Sequence, residues 1–315
     1  MNMMKRFLIW CLACWTWATI HAQGLSLATA ESTVRFLTSD PGAADYWPCF
    51  SPDGKVVLFS RSVDGKKSWE FFVVPTAGGD AHRFVRSPLP VSATRADWSI
   101  RNNLIAFTGL SANDKSCVWI MNPDGSNLHQ LVSSRLSDSV FYPSWYPNVE
   151  NLAVLDARDS VIKRIDQKQD AAVTVTDRDQ VLAGMPSVSP DGEWIAFAGQ
   201  KNVGKPYEQR KNSIWLLRND GTMRTLESAS AQGRTPHWSP DGHWLAFESN
   251  RGSTSGLYAA FIINRDGTGL RQVTNYELNA NHPVWSPDGA RLVFSGRHKR
   301  GQDATGIATV EAVER

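Results

Sequence analysis

Pro48-Cys-Phe-Ser-Pro-Asp-Gly54, Pro186-Ser-Val-Ser-Pro-Asp-Gly192, Pro236-His-Trp-Ser-Pro-Asp-Gly242 and Pro283-Val-Trp-Ser-Pro-Asp-Gly289 are four copies of one seven-residue string, and their reading decides the fold. Each copy runs into a short apolar strand ending in Phe: Val56-Val-Leu-Phe59, Trp194-Ile-Ala-Phe197, Trp244-Leu-Ala-Phe247 and Leu292-Val-Phe294. Two degenerate copies fill the gaps. Asp97-Trp-Ser-Ile-Arg-Asn-Asn103 precedes Leu104-Ile-Ala-Phe107, and Pro143-Ser-Trp-Tyr-Pro-Asn148 precedes Leu152-Ala-Val-Leu155. The equivalent positions Asp53, Arg101, Asn148, Asp191, Asp241 and Asp288 recur every 43 to 50 residues or so, the period of one four-stranded propeller blade.

The string explains itself as a turn. Pro52 presets φ, Ser51 and Asp53 can bond nearby backbone groups, and Gly54 takes a conformation that costs other residues energy. The repeated Asp residues are therefore turn-makers before they are metal ligands or acids. Phe50, Trp98, Trp145, Trp238 and Trp285 recur at one strand position and are expected to wedge between blades. The second half of a blade follows in Val118-Trp-Ile-Met-Asn-Pro-Asp-Gly125, Ile214-Trp-Leu-Leu-Arg-Asn-Asp-Gly221 and Phe261-Ile-Ile-Asn-Arg-Asp-Gly267. Each reads as a third strand and an Asp-Gly hairpin, leading to outer strands at 128–131, 223–226 and 270–274. After Thr305–Val310 no residues remain for a sixth outer strand. Val34-Arg-Phe-Leu-Thr38, similar to Leu270-Arg-Gln-Val-Thr274, is expected to supply it and so to remove an exposed edge. The reading is all-β: a six-bladed β-propeller of four-stranded blades, closed by an N-terminal outer strand.

The 315 residues carry a formal charge of only +2, without the basic excess of a nucleic-acid binder. Lys5 and Arg6, an apolar run from Phe7 to Trp17 and small Ala22 read as an export signal. The expected organisation is a signal over 1–22, a short segment over 23–32 and a propeller over 33–315, in a periplasmic or secreted monomer. Lipoprotein processing at Cys14 is the competing reading of the same stretch. The apolar run is short for a bilayer span and no later one is longer, so the mature chain is expected to have no membrane span. Cys49 and Cys117 would meet an oxidising compartment, but their different strand positions favour two unpaired thiols.

The alternation of Ser-Pro-Asp-Gly, a strand ending in Phe and Asn-Arg-Asp-Gly-Thr-Gly-Leu-Arg-Gln-Val-Thr274 resembles the TolB-like propeller repeats over the whole of the mature chain. The resemblance implies a binding or interaction module. TolB-like proteins of the Tol-Pal envelope system carry a further α/β domain, for which about a dozen residues between signal and first strand leave no room. Similar propellers precede the hydrolase domain of prolyl-oligopeptidase-like peptidases, but no Gly-x-Ser-x-Gly elbow occurs here. A third relative, the oligogalacturonate-lyase type, implies an enzyme that uses histidine and a divalent metal.

In a propeller the ligand meets one mouth of the central channel. The loops entering the innermost strands hold Tyr46, Trp47, Arg95, Asp97, Tyr142 and Arg234, with Phe141, Met185 and Asn281 beside them. Aromatic and arginine side chains of this kind dominate binding hot spots, although each could equally pack between blades. His237 and His282 combine a metal-capable side chain with a place near the channel, and Asp97 aligns with His237. Three candidates do not make a metal site, so binding residues are expected and no cofactor is. The loops joining second and third strands tilt basic at Lys66, Lys67, Lys201, Lys205, Arg210, Lys211, Arg297, Lys299 and Arg300, against Asp64 and Glu208. An envelope protein or an acidic polymer is the expected partner. The alternative is a metal-dependent carbohydrate-active enzyme centred on the two histidines.

Overall fold

The computed structural model describes residues 34–63, 68–85, 89, 91–110, 115–131, 136–148, 150–204, 212–226, 232–298 and 305–312. The leader, segment 23–32, and the rim residues Asp64, Lys66, Lys67, Lys205, Glu208, Arg210, Lys211, Lys299 and Arg300 lie outside them.

Among the described residues the chain is a β-propeller without an α-helix, its strands paired antiparallel except at one place in the largest sheet. Four sheets have four strands each, laid down in chain order. The first holds β6 (Ser92–Trp98), β7 (Ile105–Leu110), β8 (Ser116–Met121) and β9 (His129–Gln130). The second holds β10 (Val140–Trp145), β11 (Asn151–Asp156), β12 (Val161–Asp166) and β13 (Ala171–Thr174). The third holds β14 (Val181–Val188), β15 (Trp194–Lys201), β16 (Ser213–Arg218) and β17 (Met223–Thr225). The fourth holds β18 (Gly233–Trp238), β19 (Trp244–Ser249), β20 (Ala259–Asn264) and β21 (Arg271–Gln272).

An eight-stranded sheet contains the two chain ends. Its strands are β1 (Arg35–Phe36), β2 (Ala43–Phe50), β3 (Val56–Val63), β4 (Glu70–Pro75) and β5 (His82–Arg83), with β22 (Asn281–Trp285), β23 (Arg291–Arg297) and β24 (Thr305–Glu311). Its two halves meet in a single parallel pair, Ala44 with Thr305. On the outer edge β1 pairs antiparallel with β24, Arg35 opposite Thr309 and Phe36 opposite Ala308. Thr38 binds the halves together: its Oγ accepts from the Ile307 N–H at 2.8 Å and donates to Asp45 at 2.6 Å. Buried Asp45 in turn receives a bidentate pair from Arg61, at 2.6 and 2.7 Å.

The turn chemistry read from the repeats is realised at the β2–β3 connection. Ser51 Oγ donates to Asp53 at 2.7 Å, Asp53 accepts the Lys55 N–H at 3.1 Å, and Gly54 takes φ +68°. In the degenerate copy before β7 the left-handed residue shifts to Asn103, whose side chain accepts from the Trp98 indole at 2.8 Å.

Each junction between successive sheets holds its own apolar cluster. Phe59, Phe107, Phe197, Phe247 and Phe294, from the second strand of five repeats, are fully buried. One cluster joins Phe71 and Val73 of β4 to Ile105 and Phe107 of β7; another joins Ile214 and Leu216 of β16 to Trp238 and Phe247. The repeated aromatics serve as wedges: the Trp145 indole reaches back to the Asp97 carbonyl at 3.1 Å, and the Trp238 indole to the Ser187 carbonyl at 3.0 Å. Burying such a side chain is worth about 1.5–3 kcal/mol, so the neighbouring sheets stabilise one another.

Candidate functional site: a ring of bulge residues in the channel

Every innermost strand breaks register at the same place. Between Tyr46 and Cys49, Thr94 and Asp97, Phe141 and Ser144, Gly184 and Ser187, Arg234 and His237, and Asn281 and Val284 the ladder skips. The inner strand carries one residue more than its neighbour, which is a β-bulge. The first skipped residue is left-handed in every case: Trp47 (φ 53°), Arg95 (53°), Tyr142 (54°), Met185 (54°), Thr235 (48°) and His282 (54°). Non-glycine residues avoid this region, and a β-branched one such as Thr235 is a genuine outlier there. Five of the six are followed by Pro, which has no N–H to lose from the ladder. The bulge re-aims these side chains, and all six line one central cavity of about 650 Å³. That cavity runs from the ring to the turn residues Pro52, Pro147, Pro190, Pro240 and Pro287.

Half of the ring is a continuous stack. The Arg95 guanidinium lies 4.5 Å from the Trp47 ring and 4.7 Å from the Tyr142 ring, with Phe141 at 5.8 Å. Trp47 meets His282 at 5.8 Å and Trp69 at 4.9 Å, both edge-on. Tyr46 packs edge-on against Trp69 at 5.7 Å, and its hydroxyl accepts from Thr305 at 3.0 Å. Across the ring Arg234 pairs with buried Glu248 at 2.7 Å and lies 4.2 Å from the Tyr258 ring. The other Glu248 oxygen accepts the His282 N–H at 2.7 Å, which locks that bulge in place. Burial pushes the His282 imidazole down to about 4; Glu248 opposes this, while Arg95 and Arg234 reinforce it.

The structure brings Trp47, Arg95, Tyr142 and His282 together in the ring, with Tyr46 and Arg234 immediately before two of its members. Asp97 and His237 also line the cavity, but they clasp neighbouring sheets. Asp97 accepts the Trp145 N–H at 2.7 Å, and burial pushes its carboxyl up to about 6. His237 Nδ1 takes the Trp285 N–H at 3.4 Å, and burial pushes the imidazole down to about 4. A nitrogen that accepts in this way belongs to a neutral ring. Thr235 and the loop residues Trp69 and Tyr258 were not expected from sequence. The signal for Thr235 was the position immediately before the repeated Pro.

Among the described residues no three His, Cys, Asp or Glu side chains converge as a metal-binding group. Cys49 and Cys117 are free, and burial raises both thiols. No described helix is long and apolar enough to cross a membrane.

The model of the TolB beta propeller domain family matches residues 118–312. No curated protein matches the sequence. Among solved structures, a chain assigned as TolB from Agrobacterium tumefaciens is similar with a TM-score of 0.65 at 18% identity, covering 89% of this chain and 94% of that one. An oligogalacturonate lyase from Vibrio parahaemolyticus is similar with a TM-score of 0.56 at 13% identity, over 92% and 96% of the two chains. An oligogalacturonate lyase in complex with manganese gives 0.56 at 14% identity, over 91% and 95%. At these identities the likeness is one of fold.

Proposed function

Because the chain belongs to the TolB beta propeller domain family, we propose that it is an exported binding module of the cell envelope whose channel ring meets a protein or acidic polymer. The observation that carries this reading is the repeated bulge. Six backbone positions accept a strained conformation at one cavity, and four of them, Trp47, Arg95, Tyr142 and His282, point aromatic or cationic side chains at it; strain of this kind persists where function requires it. Family membership and the export-like N-terminal sequence support a periplasmic or secreted location.

The same proposal takes 1–22 as leader, 33–315 as the propeller and the chain as a monomer. It counts the eight-stranded sheet as two blades, because only the Ala44–Thr305 pair joins its halves. With the four other sheets that makes six.

The fold likeness to oligogalacturonate lyases favours a second reading, a metal-dependent carbohydrate-active enzyme. Its proposed centre fits less well, since His237 is engaged with Trp285 and the described acids do not converge on His282. The deciding experiment is affinity capture from solubilised envelope, comparing the protein with a variant in which Trp47, Arg95, Tyr142 and Arg234 are alanine. A partner held by the first and lost by an equally folded second is the expected result. Metal-dependent turnover of acidic oligosaccharides, lost in His282→Ala, would replace this reading with the enzymatic one.

A further inference from the structure

Among the described residues, the ring contains one cation without an acid partner. Arg234 is neutralised by Glu248, and His282 is held neutral by burial. Asp97, the acid of the same inner strand, has its carboxylate on the Trp145 N–H and no ion pair among the described residues. Arg95 has no acid partner among the described residues either; its only polar contact is a 3.2 Å bond to the Thr94 hydroxyl. Its guanidinium lies close to both the Trp47 and the Tyr142 ring, at 4.5 and 4.7 Å. Three nitrogens along this arc are buried without a hydrogen-bond partner among the described residues: Arg95 Nε, Trp47 Nε1 and His282 Nδ1. Buried polar groups are normally satisfied, and an unpaired buried charge is costly. The arrangement is thus complete in packing and incomplete in charge and hydrogen bonding.

We propose that the arc Trp47–Arg95–Tyr142, with His282 beside it, is a receptor for a single terminal carboxylate, supplied by a small carboxylic acid or by the C-terminus of a peptide. This rests on the binding-module reading above and specifies its ligand chemistry. The planar guanidinium fork matches a carboxylate bidentately, and the indole N–H adds a donor that binds anions without adding charge. The arc itself carries a single positive charge, that of Arg95, which fits a monoanion. A dianionic phosphate would leave a charge uncompensated at a site walled by aromatic rings, where that is expensive. A cavity of about 650 Å³ accommodates a short peptide end or a small acid.

The test is calorimetric titration of the folded protein with acetate and with an N-acetylated tripeptide in two forms, free acid and C-terminal amide. Both acids are expected to bind and the amide to bind at least about tenfold more weakly. Acetate binding without peptide binding assigns the receptor to small acids; tighter peptide binding assigns it to chain ends. Arg95→Gln should remove the preference for the acid, and Trp47→Phe, which keeps the ring and deletes the donor, should weaken the acid by a few fold.

Arg95→Gln should also melt no lower than the parent, because it removes an unpaired charge. A marked fall in its melting temperature would assign Arg95 to structure and overturn the proposal. So would equal binding of acid and amide, or no binding of either acid. An envelope partner captured equally well by Arg95→Gln would overturn this subsite while leaving the binding module standing, whereas failure to capture any partner would count against the module itself.

Discussion

At the scale of single residues, the channel holds titratable groups whose environments pull stability in opposite directions. Asp97, pushed up to about 6, stays protonated in the folded protein where it has already ionised in the unfolded chain. Stability therefore falls as pH rises from about 4 to about 6, and the loss persists above that. Asp97→Asn keeps an acceptor for the Trp145 N–H and removes the charge. It is expected to stabilise by about 1–3 kcal/mol at pH 7.5 and by nothing at pH 4, as read from melting curves at both. The two histidines act with the reverse sign. His237 and His282, down to about 4, bind a proton in the unfolded chain before they do in the folded one. Their contribution is complete above pH about 6.5 and is lost as pH falls toward 4, at about 3 kcal/mol each in the limit. Two histidines outweigh one aspartate, so a net loss of stability below pH about 6 is expected, with a shallower acid limb in His237→Gln.

At the scale of the element, the inner strand is an ordinary ladder interrupted once. The interruption is conformational, not compositional: Trp, Arg, Tyr, Met, Thr and His occupy the same left-handed position. Thr235 is the least suited of them, being β-branched and leaving its hydroxyl buried without a partner. Thr235→Asn, which tolerates this region better, is expected to raise the melting temperature by about 1–3 °C. Thr235→Val keeps the branching and deletes the unpartnered hydroxyl, so it should not lower the melting temperature. A fall with Asn would show that the position is not strained. The strand pattern, the turns and the apolar wedges were legible from the repeats because they depend on local chemistry. The bulge was not, since the Pro that follows it reads equally well as the start of a turn.

At the scale of the whole molecule, the two ends of the chain meet in one sheet. Residues Val34–Thr38 contribute the β1 strand, the apolar Leu37 and the Thr38 hydroxyl that links Asp45 to Ile307. Their removal exposes the edge of β24 and strips one partner from the buried Arg61–Asp45 pair. Deletion of the chain through Thr38 is expected to lower the temperature of a single cooperative unfolding transition by several degrees, followed by calorimetry; an unchanged transition would deny the segment its role. Because each sheet is wedged against the next, loss of one contact at the seam should weaken the whole ring and not merely its last sheet.

What the sequence by itself determined is the propeller architecture of repeated antiparallel strands, the Ser-Pro-Asp-Gly turns, the wedging aromatics and the candidate segment for the last outer strand. All of these follow from period, turn chemistry and apolar alternation, which act between near neighbours. It also drew attention to Tyr46, Trp47, Arg95, Tyr142, Arg234 and His282 as residues at the channel. Only the tertiary structure decided which of them share a surface and in what state. Arg95 finds Trp47 and Tyr142 from the two flanking repeats, Arg234 finds Glu248, and Asp97 and His237 turn to the backbone of the next sheet. Those pairings join residues many positions apart, and it is the curvature of the packed sheets that brings them within reach of one another.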